Sequence, residues 1–115
     1  MKTKLTHVRV NVSDLKQSVA WYEGVLGFEN DGGWPPENPT YMQFHAAGGA
    51  VFSIMQVESE RSHGRLNFVV EDVDELWERL KDKVEVVEPL ADTPWGTRKF
   101  TIMDLDGNEL GFVKE

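Results

Sequence analysis

The side chains able to do chemistry fall on one parity of a series of alternating segments. His7, Arg9 and Asn11 alternate with Val8, Val10 and Val12. Tyr41, Gln43 and His45 flank Met42 and Phe44, while Ser53 and Met55 flank Ile54. In the second half, Arg65 and Asn67 alternate with Leu66 and Phe68. Lys99, Thr101 and Met103 alternate with Phe100 and Ile102, and Glu109 with Leu110. The apolar parity predicts a helix-covered core. The other parity mixes aromatic, thioether and hydrogen-bonding groups, which suits a small-molecule pocket, although a solvent-facing sheet is also polar. On this face Arg9, Arg65 and Lys99 oppose a single acid, Glu109, in a chain of 20 acidic and 12 basic residues. A net cationic face would attract a carboxylate or phosphate. A competing reading pairs Arg65 with Glu109 and leaves the face near neutral; both stand. No residue of the set is assigned a catalytic role.

Two copies of one pattern position these residues. Asp14-Leu15 and Asp72-Val73 each open a helical stretch and lie 58 residues apart. The strand-like runs 7–12 and 65–70 share that offset, as do Gly49–Ile54 and Gly107–Phe112. A fixed internal period is the strongest single clue to architecture. In the first copy, Ser13 or Asp14 caps a helix of about ten residues carrying Leu15, Val19 and Tyr22 on one face. Gly24 and Gly27 end it, and a strand begins near Phe28. Residues 31–39, with three prolines and two glycines, read as a loop. Residues 40–46 and 50–57 form a hairpin around Gly48-Gly49. The second copy repeats this with a helix from Asp72, a strand over 84–87, a loop from Pro89 to Gly96 and a hairpin across Asp106-Gly107. The fold class is therefore α+β: two tandem strand–helix–strand–strand–strand modules, about 1–58 and 59–115, forming a curved sheet around a groove.

The bulk numbers narrow the class. A chain of 115 residues with 40% hydrophobic content and four Trp reads as one packed domain, 1–115. A formal charge of −8 argues against nucleic acid and anionic membrane partners. With no Cys there are no disulfides or thiolate metal sites. The segment Met1–Thr6 leads into a strand without an apolar signal region, and no stretch has the length of a membrane span. The expected location is the cytoplasm.

The stretches His7-Val-Arg-Val-Asn-Val-Ser-Asp-Leu15, Ser18-Val-Ala-Trp-Tyr22 and Leu26-Gly-Phe28, with Pro94-Trp-Gly-Thr-Arg98 and Asp104-Leu-Asp-Gly-Asn108, carry a resemblance to a known family. Together with the repeat, the chain resembles the vicinal oxygen chelate superfamily (glyoxalase I, bleomycin-resistance proteins and extradiol dioxygenases) over essentially its whole length. The resemblance implies four metal-ligand positions, which fall here on His7, Ser53, Arg65 and Gly111. Only His7 is a good ligand, and a catalytic site needs about three protein ligands and an open position. In the family's isomerases a carboxylate at the position of Gly111 also serves as general base, and here it is missing. The expectation is no cofactor and no metal. A divalent ion held through His7, or displaced onto His7, His45 and Glu109, is the minority alternative.

Trp34 and Trp95 are expected in long inter-strand loops, Trp34 as a stacking surface for a ligand and Trp95 as a loop anchor. Trp21 and Trp77 read as packing or interface residues on the helices. The function these readings favour is a metal-free small-molecule-binding protein with its ligand, anionic if the face is net positive, in the sheet groove. The expected binding set is His7, Arg9, Asn11, Trp34, Tyr41, Gln43, Ser53, Met55, Arg65, Asn67, Lys99, Thr101 and Met103. Whether the chain is an enzyme stays open, with the missing ligands and general base leaning against it; the alternative is a metal-dependent lyase, isomerase or dioxygenase with a rearranged site. A groove filled by the protein's own side chains is a third reading. A homodimer is expected, since two-module chains of the resembling family usually pair and each half-sheet has an open face.

Overall fold

Each helix start is written into the chain as an aspartate at the same repeat position. Asp14 Oδ1 accepts the Gln17 N–H at 3.0 Å, and Asp72 Oδ1 accepts that of Glu75 at 3.0 Å. The carboxylates thereby satisfy backbone donors that have no partner inside the helix. The structure, a computed structural model, describes residues 1–58 and 60–114. It divides into two compact units, Met1–Ser62 and His63–Glu115, a boundary four residues beyond the one the repeat suggested.

The first unit runs β1 (His7–Val12), α1 (Leu15–Trp21), β2 (Asn30–Trp34), β3 (Tyr41–Phe44) and β4 (Val51–Gln56). Its sheet has the order β1-β4-β3-β2, with β1 parallel to β4 and the other pairs antiparallel. The second unit repeats this as β5 (Arg65–Val70), α2 (Val73–Leu80), β6 (Glu85–Asp92), β7 (Arg98–Met103) and β8 (Glu109–Lys114), in the order β5-β8-β7-β6. The register itself is duplicated. His7 pairs with Val51 and Arg65 with Glu109; Tyr41 pairs with Met55 and Lys99 with Val113. Each pair is its counterpart displaced by the same 58 residues.

Alternation sends the predicted apolar parity inward. In the first unit Val10, Phe44, Phe52 and Ile54 are buried, and Tyr22 packs against Phe44 and Phe52 with ring centroids 5.4 and 5.5 Å apart. In the second, Phe100 stacks on Phe112 at 5.3 Å and Trp77 covers Phe100 at 5.2 Å. Trp77 is thus a core lid on its own sheet.

Three segments differ from expectation. The first helix continues past Trp21 into a wider π-turn, Tyr22–Leu26, before Gly27 closes it at φ 83°. The wide turn brings Tyr22 and Leu26, four apart, onto one buried face. β2 extends into the glycine-rich segment read as a loop. A side chain at Gly33 would meet Met42 at 2.9 Å and the Tyr41 carbonyl at 3.1 Å, so glycine lets β2 close onto β3. β6 likewise runs through Pro89 to Asp92. The strand is at the sheet edge and its register shifts between Glu88 and Ala91, where a missing N–H costs no ladder bond.

Side chains lock the second unit further. Asn108, fully buried, accepts the Gly64 N–H on Oδ1 at 2.9 Å and donates from Nδ2 to Asp104 Oδ2 at 2.9 Å. Asp104 Oδ1 accepts the N–H groups of Asp106 and Asn108, which closes the β7–β8 turn. Arg98 bridges Asp74 on α2 at 2.7 Å and Asp92 on β6 at 3.2 Å.

Two outcomes are expected. Asn108→Ala removes the acceptor of the Gly64 N–H and a donor to Asp104 Oδ2, and should cost about 2–3 kcal/mol in urea denaturation; a cost below about 0.5 kcal/mol would remove this network from the fold's supports. The Arg98 guanidinium holds the Asp74 carboxyl below its ordinary value of 3.8, chiefly by hydrogen bonding. A depressed carboxyl contributes stability above its unfolded pKa and loses it as pH falls through the folded one. The urea-midpoint gap between the protein and Arg98→Gln should therefore be constant above about pH 5 and close in acid. A gap independent of pH down to 2 would contradict the assignment.

Candidate functional site

Because both registers are known, the polar parity resolves into rows across each sheet. In the first unit one row is Trp34, Tyr41, Met55 and Asn11, and the next is Gln43, Ser53 and Arg9. Tyr41 donates its hydroxyl to Gln43 Oε1 at 3.2 Å, and Arg9 Nη1 donates to the Met55 sulfur at 2.9 Å. Ser53 is buried and gives its hydroxyl to the Val8 carbonyl at 3.2 Å. Asn11 is engaged with the chain that leaves the unit: its N–H meets Ser62 Oγ at 2.9 Å and its amide meets the Glu60 carbonyl at 3.3 Å. His7 stands exposed at the start of β1, opposite Val51. Trp34 ends a strand and is not in a loop; it is 66% exposed at the edge of the row, beside Tyr41.

In the second unit the rows are Arg65, Glu109, Met103 and Glu85, then Asn67, Gly111, Thr101 and Glu88, then Val69, Val113, Lys99 and Ala91. Arg65 lies 3.4 Å from Glu88 and 3.8 Å from Glu109. Since β5 and β6 are the two edges of this sheet, the Arg65–Glu88 pair spans its face from side to side. Two acids therefore flank Arg65 where the sequence suggested one. The sequence pattern ends this strand at Val87, short of Glu88, whereas β6 runs to Asp92. The cationic excess assigned to Arg65 is cancelled, and Arg9 and Lys99 remain without an acidic partner among the described residues. Trp95 does not anchor its loop: it is 74% exposed in a turn closed by Thr93 and Thr97.

The positions that the family resemblance marks for a metal do not fit one. Gly111 has no donor, and a Cβ there would collide with Asn67 Oδ1 and come within 2.8 Å of Lys99 Cε. Those side chains occupy the room a carboxylate would need. The Ser53 hydroxyl points at a backbone carbonyl, and Arg65 is a cation held by two acids. Among the described residues no three His, Asp or Glu side chains converge as a ligand set. No helix is long and apolar enough to cross a membrane.

The sequence matches the family model described as Glyoxalase/Bleomycin resistance protein/Dioxygenase superfamily over residues 4–112, and the chain belongs to that superfamily. Among solved structures it is similar to TioX from Micromonospora sp. ML1, with a TM-score of 0.82 and 23% identity, covering 97% of this chain and 98% of that one. TnmS3, an antibiotic binding protein from Streptomyces sp. CB03234, gives a TM-score of 0.81 and 23% identity over 98% and 96% of the two chains. Lactoylglutathione lyase from Agrobacterium tumefaciens gives 0.77 and 21% over 98% and 94%. At such identities the likeness speaks for the fold. The sequence matches no curated protein.

The donor set leads to an expected composition. Protein purified without chelators should carry far less than one zinc, nickel, manganese or iron per chain by elemental analysis. One metal per chain, lost on His7→Ala, would overturn the reading.

Proposed function

We propose that this chain is a metal-free binding protein for a planar small molecule, held on the open sheet face of the first unit. The observation that carries this is the row Trp34–Tyr41–Met55 lying beside Gln43 and Arg9. Trp34 and Tyr41 offer π-faces at low entropic cost, and Met55 adds a polarizable sulfur. Arg9 spends one N–H on that sulfur, a weak acceptor, so its guanidinium retains donors for a ligand oxygen. Gln43 accepts from Tyr41 on Oε1, which turns its NH₂ into a second donor. The face thus pairs a stacking shelf with hydrogen-bond donors, as small-molecule sites do. Superfamily membership supports the reading, as does the likeness to a protein named for antibiotic binding. The donor set argues against the metal-dependent alternative, because Ser53, Arg65 and Gly111 are committed elsewhere.

A fluorescence and calorimetric screen over aromatic carboxylates, sugar phosphates and cationic glycopeptide drugs tests this. Planar aromatic compounds should bind and quench tryptophan emission. Trp34→Ala should weaken them about two- to tenfold, the worth of one aromatic stack. A screen without aromatic binders, or binders indifferent to Trp34→Ala and Tyr41→Ala, would sink the proposal.

A further inference from the structure

Three polar side chains that have no hydrogen-bond or ion-pair partner among the described residues, one of them buried, meet around the α-carbon of Gly111. Thr101, its cross-strand partner on β7, is 1% exposed, yet its hydroxyl has no hydrogen-bond partner. Buried hydroxyls are nearly always satisfied, and an orphan costs stability. Asn67, the partner on β5, lays its carboxamide into the space a side chain at Gly111 would fill. Lys99 leans its aliphatic chain into that space from the next row. Its ammonium belongs to no ion pair among the described residues, while the neighbouring Arg65 is held by Glu88 and Glu109. The nearest competing acid by register is Glu88, opposite Thr101, and its carboxylate is turned to Arg65 at 3.4 Å.

From these groups we infer a carboxylate subsite on the second unit, built by the Lys99 ammonium, the Asn67 amide and the Thr101 hydroxyl around Gly111. It goes beyond the small-molecule reading above and is argued from the second unit alone. The atoms nearest to the space over Gly111 belong to the side chains of Asn67 and Lys99, so a carboxylate enters by displacing them. Once seated, its oxygens accept from Nζ and from the Thr101 hydroxyl, which then gains its missing partner, and from Asn67 Nδ2 after a turn of the carboxamide, whose Oδ1 faces Gly111 when no ligand is bound. Glycine is the residue this requires, because any side chain at 111 would take the carboxylate's place.

Benzoate and its uncharged isostere benzamide are the probes, titrated into the full chain and followed by backbone amide NMR shifts and by calorimetry. Benzoate should bind at least about tenfold more tightly than benzamide, the worth of one charge-assisted hydrogen bond. It should move the amides of Lys99, Thr101 and Gly111. Lys99→Met should erase the preference, and Lys83→Met, an exposed cation beyond α2, should not. Thr101→Val supplies a signature that a packing role cannot: it removes an unsatisfied hydroxyl, so the melting temperature should hold or rise while benzoate affinity falls. Thr101→Ser, which keeps the hydroxyl, should keep the affinity. Equal binding of both probes, or a preference that survives Lys99→Met, would overturn the subsite. A preference lost with Arg65→Gln alone would overturn it too, by moving the anion to Arg65. Shifts confined to Tyr41, Gln43 and Met55 would remove the subsite and leave the first unit's stacking shelf standing.

Discussion

The parallel pairing of each unit's first and last strands is the constraint on which the rest depends. A parallel pair cannot be set by a tight turn, so its register needs another anchor. The anchor is one backbone bond made twice: Val51 N–H to the Thr6 carbonyl at 2.8 Å, and Glu109 N–H to the Gly64 carbonyl at 2.8 Å, 58 residues on. In the second unit Asn108 reinforces it by holding the Gly64 N–H, and its counterpart Ala50 has no side chain able to do so. A slip of one residue would turn every polar side chain of β5 or β8 into the core. Which residues share a row with Ser53 or Gly111 is decided there.

Given that register, the two units have diverged on the same frame. The row that holds Arg9, Ser53 and Gln43 in the first unit holds Asn67, Gly111 and Thr101 in the second. Serine keeps its hydroxyl for the backbone, and glycine opens a gap that Asn67 and Lys99 lean into. One face carries Trp34, Tyr41 and Met55 beside Gln43 and Arg9, and the other is bridged by Arg65 and Glu88. The positions that the family resemblance marks for a metal hold an exposed His7, a serine bonded to the backbone, an arginine between two acids and a glycine.

Much of this was legible in advance, for reasons that can be named. The aspartate caps, the 58-residue offset and the inward set of Phe44, Phe52, Phe100 and Phe112 follow from local chemistry and a period of two. The edge strands were not legible. Gly32-Gly33 and Pro89 signal a break in any isolated segment, yet an edge strand needs no donor on its outer side and tolerates a register shift. A strand ended at Val87 hides Glu88, the acid that meets Arg65 across the sheet.

The sequence by itself determined the repeat, the helix starts, the core parity and the poverty of metal ligands, because each depends on residue type and spacing within a few positions. Only the tertiary structure decided how the charges are spent. Among the described residues, Arg65 meets Glu88 across the width of a sheet, Lys99 meets no acid, and the Thr101 hydroxyl is buried without a partner. Those facts depend on which strands lie side by side and how far a side chain reaches over them, and no local pattern encodes that.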